Sequence, residues 1–402
     1  MRVFRWIVLA AAAALAIWAQ SGGQWKHLST KTGDLEPPNS GKEQTSATVF
    51  DINGDGVNDF VITERTAAPS VVAYIRNKTG WTRYIIEAEP LHIEAGATFC
   101  DVDGDGHLDF IAGGDWKTNE VWWWENPGPA NLKPDVPWKR HIIKNSLKPK
   151  HHDLIVGDFD GDGKDELVFW NQDSGKLLLA RIPPDPRHAG PWPLTEIYSY
   201  ATDSEMEQRG KPDRFKGINE HEGLAKADID GDGTLDIVGG GRWFKYLGGN
   251  QWAVNIIDAS YSFSRAAAGQ LKKGGRPEVV LVVGDGFGPL NWYEWVKGTW
   301  VSHKLLDIHN GHSLALVDFN KDGNLDIFCA EMRLDGANPQ SKIYIFLGDG
   351  EGNFKTTVVA EGYGLHESKI ADLDGNGTLD ILGKPYNWDT PRLDIWLNLS
   401  GR

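Results

Sequence analysis

The chain has 402 residues, two cysteines, 18 tryptophans and a formal charge of −15. Two thiols exclude a disulfide framework, and the acidic excess argues against a nucleic-acid partner. A chain of this length would ordinarily divide into two or three domains, unless it is built from repeats.

The first segment, 1-MRVFRWIVLAAAAALAIWAQS-21, reads as a cleaved signal peptide. Arg2 and Arg5 precede an apolar run, Ile7 to Trp18, that is short for a membrane span. Ala19-Gln20-Ser21 supplies a small-x-small cleavage site. No later segment is apolar enough to cross a bilayer, so residues 22–402 are expected to be secreted or periplasmic, as a single domain. Loss of two arginines with the leader takes the charge from −15 to about −17.

A nine-residue acidic motif then recurs along the chain. The copies are 51-DINGDGVND-59, 101-DVDGDGHLD-109, 158-DFDGDGKDE-166, 228-DIDGDGTLD-236, 318-DFNKDGNLD-326 and 372-DLDGNGTLD-380. The fourth and fifth stand 90 residues apart, against 50 to 70 elsewhere. In that gap 270-QLKKGGRPE-278 keeps Gly275 and Glu278, which makes it a decayed seventh copy. A strand led by an aromatic residue also occurs seven times, at Trp25, Trp81, Trp138, Trp192, Trp252, Trp300 and Phe354. A third apolar strand recurs as 120-EVWWWENPG-128, 290-LNWYEW-295, 342-KIYIFLGDG-350 and 393-LDIWLNL-399.

Each unit therefore reads as strand, acidic loop, strand, aromatic strand and Trp-led strand. Four antiparallel strands in some 50 residues make one propeller blade. The predicted fold is all-β: a seven-bladed β-propeller of four-stranded antiparallel blades. The last blade supplies three strands, and the strand at Trp25 is expected to complete it and close the ring.

The loops have the chemistry of a calcium site. Side-chain oxygens at positions 1, 3, 5 and 9, a carbonyl at 7 and a turn-forming Gly at 6 would surround a hard cation. The expected ligands are Asp51, Asn53, Asp55 and Asp59; Asp101, Asp103, Asp105 and Asp109; and Asp158, Asp160, Asp162 and Glu166. The later loops offer Asp228, Asp230, Asp232 and Asp236; Asp318, Asn320, Asp322 and Asp326; and Asp372, Asp374, Asn376 and Asp380. Up to six structural Ca2+ ions are expected, which would take the mature chain from about −17 to about −5. The motif in its four-strand unit resembles the FG-GAP/VCBS repeat family, to which integrin-type propellers belong. The resemblance covers residues 24–400 and implies fold and calcium; the family spans adhesion modules, lectin-like proteins, lyases and dehydratases.

Counting back from each motif locates the opposite face. Five of the six intact repeats carry a His within nine residues before the motif. The starts of the innermost strands are expected to bring His92, His152, His221, His312 and His366 to one central mouth, with Glu94, Asp153, Glu222 and Glu367. Converging imidazoles and carboxylates suit acid–base work near neutral pH, or a second divalent metal in the central channel. His152, His221, His312, His366, Glu222 and Arg242 are the expected catalytic residues. A second ring follows the second strands: Arg65, Asp115, Trp116, Asn171, Arg242, Trp243, Glu331, Arg333, Lys384 and Tyr386. Arg, Asp and Trp together suit a polyhydroxylated or acidic sugar. The long connection 199–223 is expected to overhang the mouth as a lid. Cys100 and Cys329 read as small core residues.

Two functions follow. The first is a carbohydrate lyase or dehydratase; 122-WWWENPG-128 and the His-led strands resemble the propeller module of aldos-2-ulose dehydratases. The second is a non-catalytic module that binds a carbohydrate or another protein through its Trp-rich rim.

Overall fold

A computed structural model describes residues 25–200, 220–261 and 263–400. The segment 1–21, expected to be a signal peptide, and most of the connection 199–223 lie outside the described residues. The described chain forms seven four-stranded antiparallel sheets, and none of its residues is in an α-helix. No described helix is long and apolar enough to cross a membrane.

The first blade shows the plan. Its strands are Gln44–Phe50, Asp59–Glu64, Val71–Arg76 and Trp81–Glu87, hydrogen-bonded in that order. The acidic loop joins the first strand to the second. The last sheet combines Lys369–Ala371, Asp380–Gly383 and Asp394–Asn398 with Trp25–Ser29 from the other end of the chain. Trp25 pairs with Asn398 and Ser29 with Asp394, so the closure expected from the repeat is present. The decayed motif occupies the same loop as the others, between Ser264–Gly269 and Glu278–Val283.

Two Trp-led strands begin late. Trp138 and Trp192 precede their strands, Lys139–Lys144 and Leu194–Ser199, instead of opening them. Pro137 stands before the first, and Pro191 and Pro193 flank the second. Proline has no amide to give a ladder. Both tryptophans hydrogen-bond backward instead, Trp138 N to Ile86 O and Trp192 N to Ile143 O, which ties each blade to the one before.

Each blade buries both faces. On the strand Asp59–Glu64, Val61 packs into a core shared with the second blade, whereas Phe60 and Ile62 pack into a core shared with the last. Alternate side chains of a strand point to opposite faces, so a sheet covered on both sides is apolar throughout. Seven such cores fill the seven gaps, and one of them holds Trp122 and Trp124. Cys100 and Cys329 are buried in two of them.

At the axis the innermost strands crowd. Leu154 N donates to Gly96 O at 2.7 Å across two blades. A Cβ on Gly96, which has φ +86°, would stand 2.3 Å from the Asp153 backbone. Only glycine meets both the positive φ and that approach.

The loops share one hydrogen-bond pattern. The first Asp of each intact loop accepts backbone amides of its own loop, as Asp101 does from Gly104 at 2.8 Å and Gly106 at 2.9 Å. The ninth-position carboxylate is buried and accepts the amide of position 2, at 2.8–3.0 Å, in all seven loops. Its other oxygen takes an amide from the third strand in four of them, including Asn126 N to Asp109 at 2.7 Å. The same latch is made by Glu278 in the decayed loop. It explains why Glu278 persists where the leading ligands are gone. Replacing Glu278 by Ala leaves the amides of Leu271 and Lys272 without an acceptor. The expected cost is about 1–3 kcal/mol, equal with calcium and with chelator in urea unfolding; a cost that vanishes in chelator would refute an ion-independent latch.

Candidate functional site

Every innermost strand runs from the axial mouth to its acidic loop, so mouth and loops lie at opposite ends of the strands. The mouth is a cavity of about 340 Å3. Of the expected site residues, His152, Glu222, His312 and His366 line it, together with Arg65, Glu94, Trp116 and Tyr386.

Two expected residues are elsewhere. His221 is buried in the gap between the third and fourth blades, stacked on Trp170 at 4.8 Å and edge-on to Tyr200 at 4.2 Å. Arg242 is buried with its guanidinium toward Gly240 O and the Tyr198 ring. Neither lines the cavity. His92 lies 3.4 Å from Asp115, outside the lining. His151, the neighbour of His152, is drawn toward the second blade by Gly114 O and Lys144 Nζ, each at 2.9 Å. Burial, followed by the Lys144 charge, lowers His151 to about 3, and burial lowers Lys144 to about 7.

The centre of the mouth is a cluster from five blades, the third to the seventh. His312 Nε2 lies 3.3 Å from Glu222 Oε2 and 3.3 Å from Asp285 Oδ1. His152 Nε2 lies 3.6 Å from the other Glu222 oxygen, and His152 Nδ1 lies 3.1 Å from Asp153. The His366 ring stacks on His312 at 4.7 Å. Burial alone would push the His312 imidazole down, but Glu222 and Asp285 outweigh it and raise it to about 10. His366 goes the other way. Burial, then Lys384 and His312, hold it well below the ordinary range. Lys384 Nζ sits 3.2 Å from His366 Nδ1 and donates to the carbonyls of Gln44 and Thr45, each at 2.9 Å. Despite its burial Glu222 is held down to about 2, by His152 and His312. Two stacked imidazoles are thus biased to opposite charge states, as acid–base pairs require.

Beneath the cluster an ion chain crosses the axis. Arg265 donates to Asp153 and forms an ion pair with Glu367, each at 2.7 Å, and Lys369 lies 3.2 Å from Glu367. Asp153 and Glu367 have φ of +38° and +53°, unusual for side-chain-bearing residues. A buried charge without partners is costly; here each finds one on another blade or on its own strand. At the rim, Arg65 is paired with Glu94, Asp115 and Glu43 and lies 4.6 Å from the ring of Trp116, which is 49% exposed.

Asp285, Arg265, Lys150 and Glu220 were not among the residues counted from the sequence. Asp285 and Arg265 belong to the fifth blade, whose decayed motif gave no first Asp to measure from. Lys150 and Glu220, 2.5 Å apart, come from loops just ahead of the counted positions.

Two groups of residues have the donor atoms of a cation site. In the loops, carboxylate oxygens of Asp101, Asp103 and Asp109 lie within 4.8 Å of one another, as do those of Asp158, Asp160 and Glu166, of Asp228, Asp230 and Asp236, and of Asp372, Asp374 and Asp380. Asp230 Oδ1 is buried with no hydrogen-bond donor among the described residues. Three loops carry a cationic side chain: Arg187 on Asp103 and Asp105, Arg181 on Asp160, and Lys245 on Asp230 and Asp232. In the mouth, Glu222, Asp285 and His312 meet the same distance criterion.

The FG-GAP-like repeat family model matches residues 101–169 and 318–383. No curated protein sequence matches the chain. Among solved structures, BBS1N, crystallised in complex with ARL6DN, aligns over 94% of this chain and 97% of its own at TM-score 0.50 and 9% identity. The Vibrio cholerae biofilm matrix protein Bap1 aligns over 89% and 88% at 0.49 and 10%. A lectin of Aleuria aurantia, in complex with α-methyl-L-fucoside, aligns over 81% and 98% at 0.44 and 14%. At such identities the likeness concerns architecture alone. The chain carries FG-GAP-like repeats and is a seven-bladed β-propeller.

Proposed function

We propose that this chain is an exported, calcium-clipped propeller that takes a sugar into its axial mouth and carries out lyase or dehydratase chemistry there. The leader at 1–21 supports export. The observation that carries the chemistry is the stacked pair His312 and His366, biased to opposite charge states inside a carboxylate-lined cavity.

The reaction follows from those states. Burial pushes the Lys384 ammonium well down, so that a neutral Nζ can accept His366 Nδ1–H, which leaves the Nε2 lone pair to take a proton from a carbon beside a carbonyl or carboxylate. The C–H electron pair moves into an enolate, whose oxygen the positive charge at His312 stabilises. The pair then returns, and the β-oxygen leaves with the electrons of its C–O bond. His152, raised by Glu222 and Asp153 against the pull of burial, protonates that oxygen. Water leaves from a dehydratase substrate, and a freed sugar hydroxyl from a lyase substrate. In place of the His312 proton, Glu222, Asp285 and a neutral His312 imidazole would hold a second divalent ion of mixed nitrogen and oxygen preference, which would then supply Lewis-acid stabilisation of the same enolate.

The second reading is a binding module without turnover, for a carbohydrate or a protein. Trp116, exposed beside Arg65 at the rim, favours it, since an indole face packs on a sugar ring.

Three outcomes test these readings. Chelation should lower Tm by more than about 10 °C, because each site filled at a hundredfold excess over Kd contributes about 2.7 kcal/mol. An unchanged melt removes calcium from the account. On a panel of keto sugars and uronides, the wild type should release an unsaturated product read by ultraviolet absorbance. His366→Gln should cut kcat by about a hundredfold or more at similar KM, whereas Trp116→Ala should raise KM. Sugar binding that Trp116→Ala weakens, with no product from any panel member, selects the binding module. Elemental analysis of calcium-saturated protein should find one further transition ion per chain, lost in Glu222→Gln and in His312→Gln. A content equal in variants and wild type refutes the second ion at these residues.

A further inference from the structure

The rim of the mouth between the sixth and seventh blades carries a cation of a different kind from its neighbours. Arg65 is paired with three carboxylates, Lys150 with Glu220, Arg265 with Asp153 and Glu367, and Arg392 with Asp389 and Asp394. Arg333 has no carboxylate partner among the described residues. Its guanidinium lies 3.4 Å from the Trp388 ring centroid, and Nη2 donates to Gly336 O at 2.9 Å. Its Nε is buried and has no hydrogen-bond acceptor among the described residues.

Three features build this arrangement. A Cβ on Gly364, at φ +67°, would stand 2.4 Å from Arg333 Cγ, so glycine makes room for the arginine stem. A Cβ on Gly336, at φ +79°, would stand 2.9 Å from Trp388 Cδ1, so glycine admits the indole. Asp335 N donates to Asn387 Oδ1 at 3.0 Å and Asn387 Nδ2 donates to Asp335 Oδ1 at 2.7 Å. That reciprocal pair locks the two rim segments together. Leu334, Asp335 and Asn387 line the axial cavity, so the stack adjoins it directly.

We propose that Arg333, stacked on Trp388, is an anion-recognising subsite at the rim, which takes the carboxylate of an acidic sugar whose neighbouring ring enters the mouth. A planar guanidinium with free donors matches a carboxylate in two parallel hydrogen bonds. Its aromatic backing holds the fork in place before the ligand arrives, which lowers the ordering cost. The site deepens the axial-mouth reading and rests on it for the second sugar ring, but it binds its anion by itself.

The test uses calcium-saturated full-length protein and three probes in titration calorimetry: a glucuronate disaccharide, its carboxyl-reduced neutral counterpart and inorganic sulfate. The glucuronate form should bind about tenfold or more tightly than the neutral one. Arg333→Met should abolish that difference and leave neutral binding unchanged, and Arg333→Lys should restore only part of it. Equal affinity for the two disaccharides, or an equal loss of both in Arg333→Met, overturns the subsite. Sulfate that competes with the glucuronate form in the wild type and not in Arg333→Met supports a general oxyanion site; a wild type in which sulfate and glucuronate are both inert overturns it. Trp116→Ala separates the two readings. If it removes neutral binding and keeps the acidic preference, the rim site stands by itself. If neutral sugar binds and no acidic preference exists, the mouth stands and the rim site falls.

Discussion

The pairing of Trp25–Ser29 with Asp394–Asn398 closes a ring in which every sheet is covered on both faces by its neighbours. Without that closure the last blade would present an unpaired edge, and the core it shares with the first would open to water. Lys384 and Gln44 bolt the same seam at its axial end, through the carbonyls of Gln44, Thr45, Pro385 and Arg392. His366 belongs to that bolt as well, since Lys384 also approaches its ring. The residue proposed as the base is therefore positioned by the same contacts that hold the ends of the chain together.

Ring closure also sets the electrostatics of the axis. Seven innermost strands converge where the chain has least room, and several bring a charged group. The outcome is a chain of alternating charge, Asp153, Arg265, Glu367 and Lys369, with the imidazoles above it. Buried ions are tolerated there because Asp153, Arg265 and Lys369 sit on strands and Glu367 just ahead of one, so little ordering is left to be done. The fifth blade has lost its acidic loop yet supplies Arg265 and Asp285 to the axis. Its loop keeps the ninth-position latch through Glu278. Loop chemistry and axial chemistry can thus change independently, because they sit at opposite ends of one strand.

The fold was legible from residue periodicity. The acidic motif recurs at blade spacing, and the aromatic-led strand recurs as often, which fixes seven units and the crossover at Trp25. Strand starts at Trp138 and Trp192 were misplaced by a residue or two, because Pro137, Pro191 and Pro193 cannot join a ladder. The site was legible in part. Counting back from the motifs found His152, Glu222, His312 and His366, which meet in one cavity. The same count also chose His221, whose ring turns into the gap between blades against Trp170.

The sequence by itself determined the repeat, the number of blades and the end of each strand at which polar side chains gather, since these depend on spacing along the chain. The tertiary structure decided which of those side chains face the axis. A residue at the mouth of an innermost strand can turn inward to the cavity or sideways into a core, and a neighbouring blade settles the choice. Lys144 draws His151 away from the mouth while Asp153 and Glu222 face His152 within it. It also decided that Arg333 stands on Trp388 without an ion pair to a carboxylate among the described residues, a contact between residues more than 50 positions apart that no local pattern encodes.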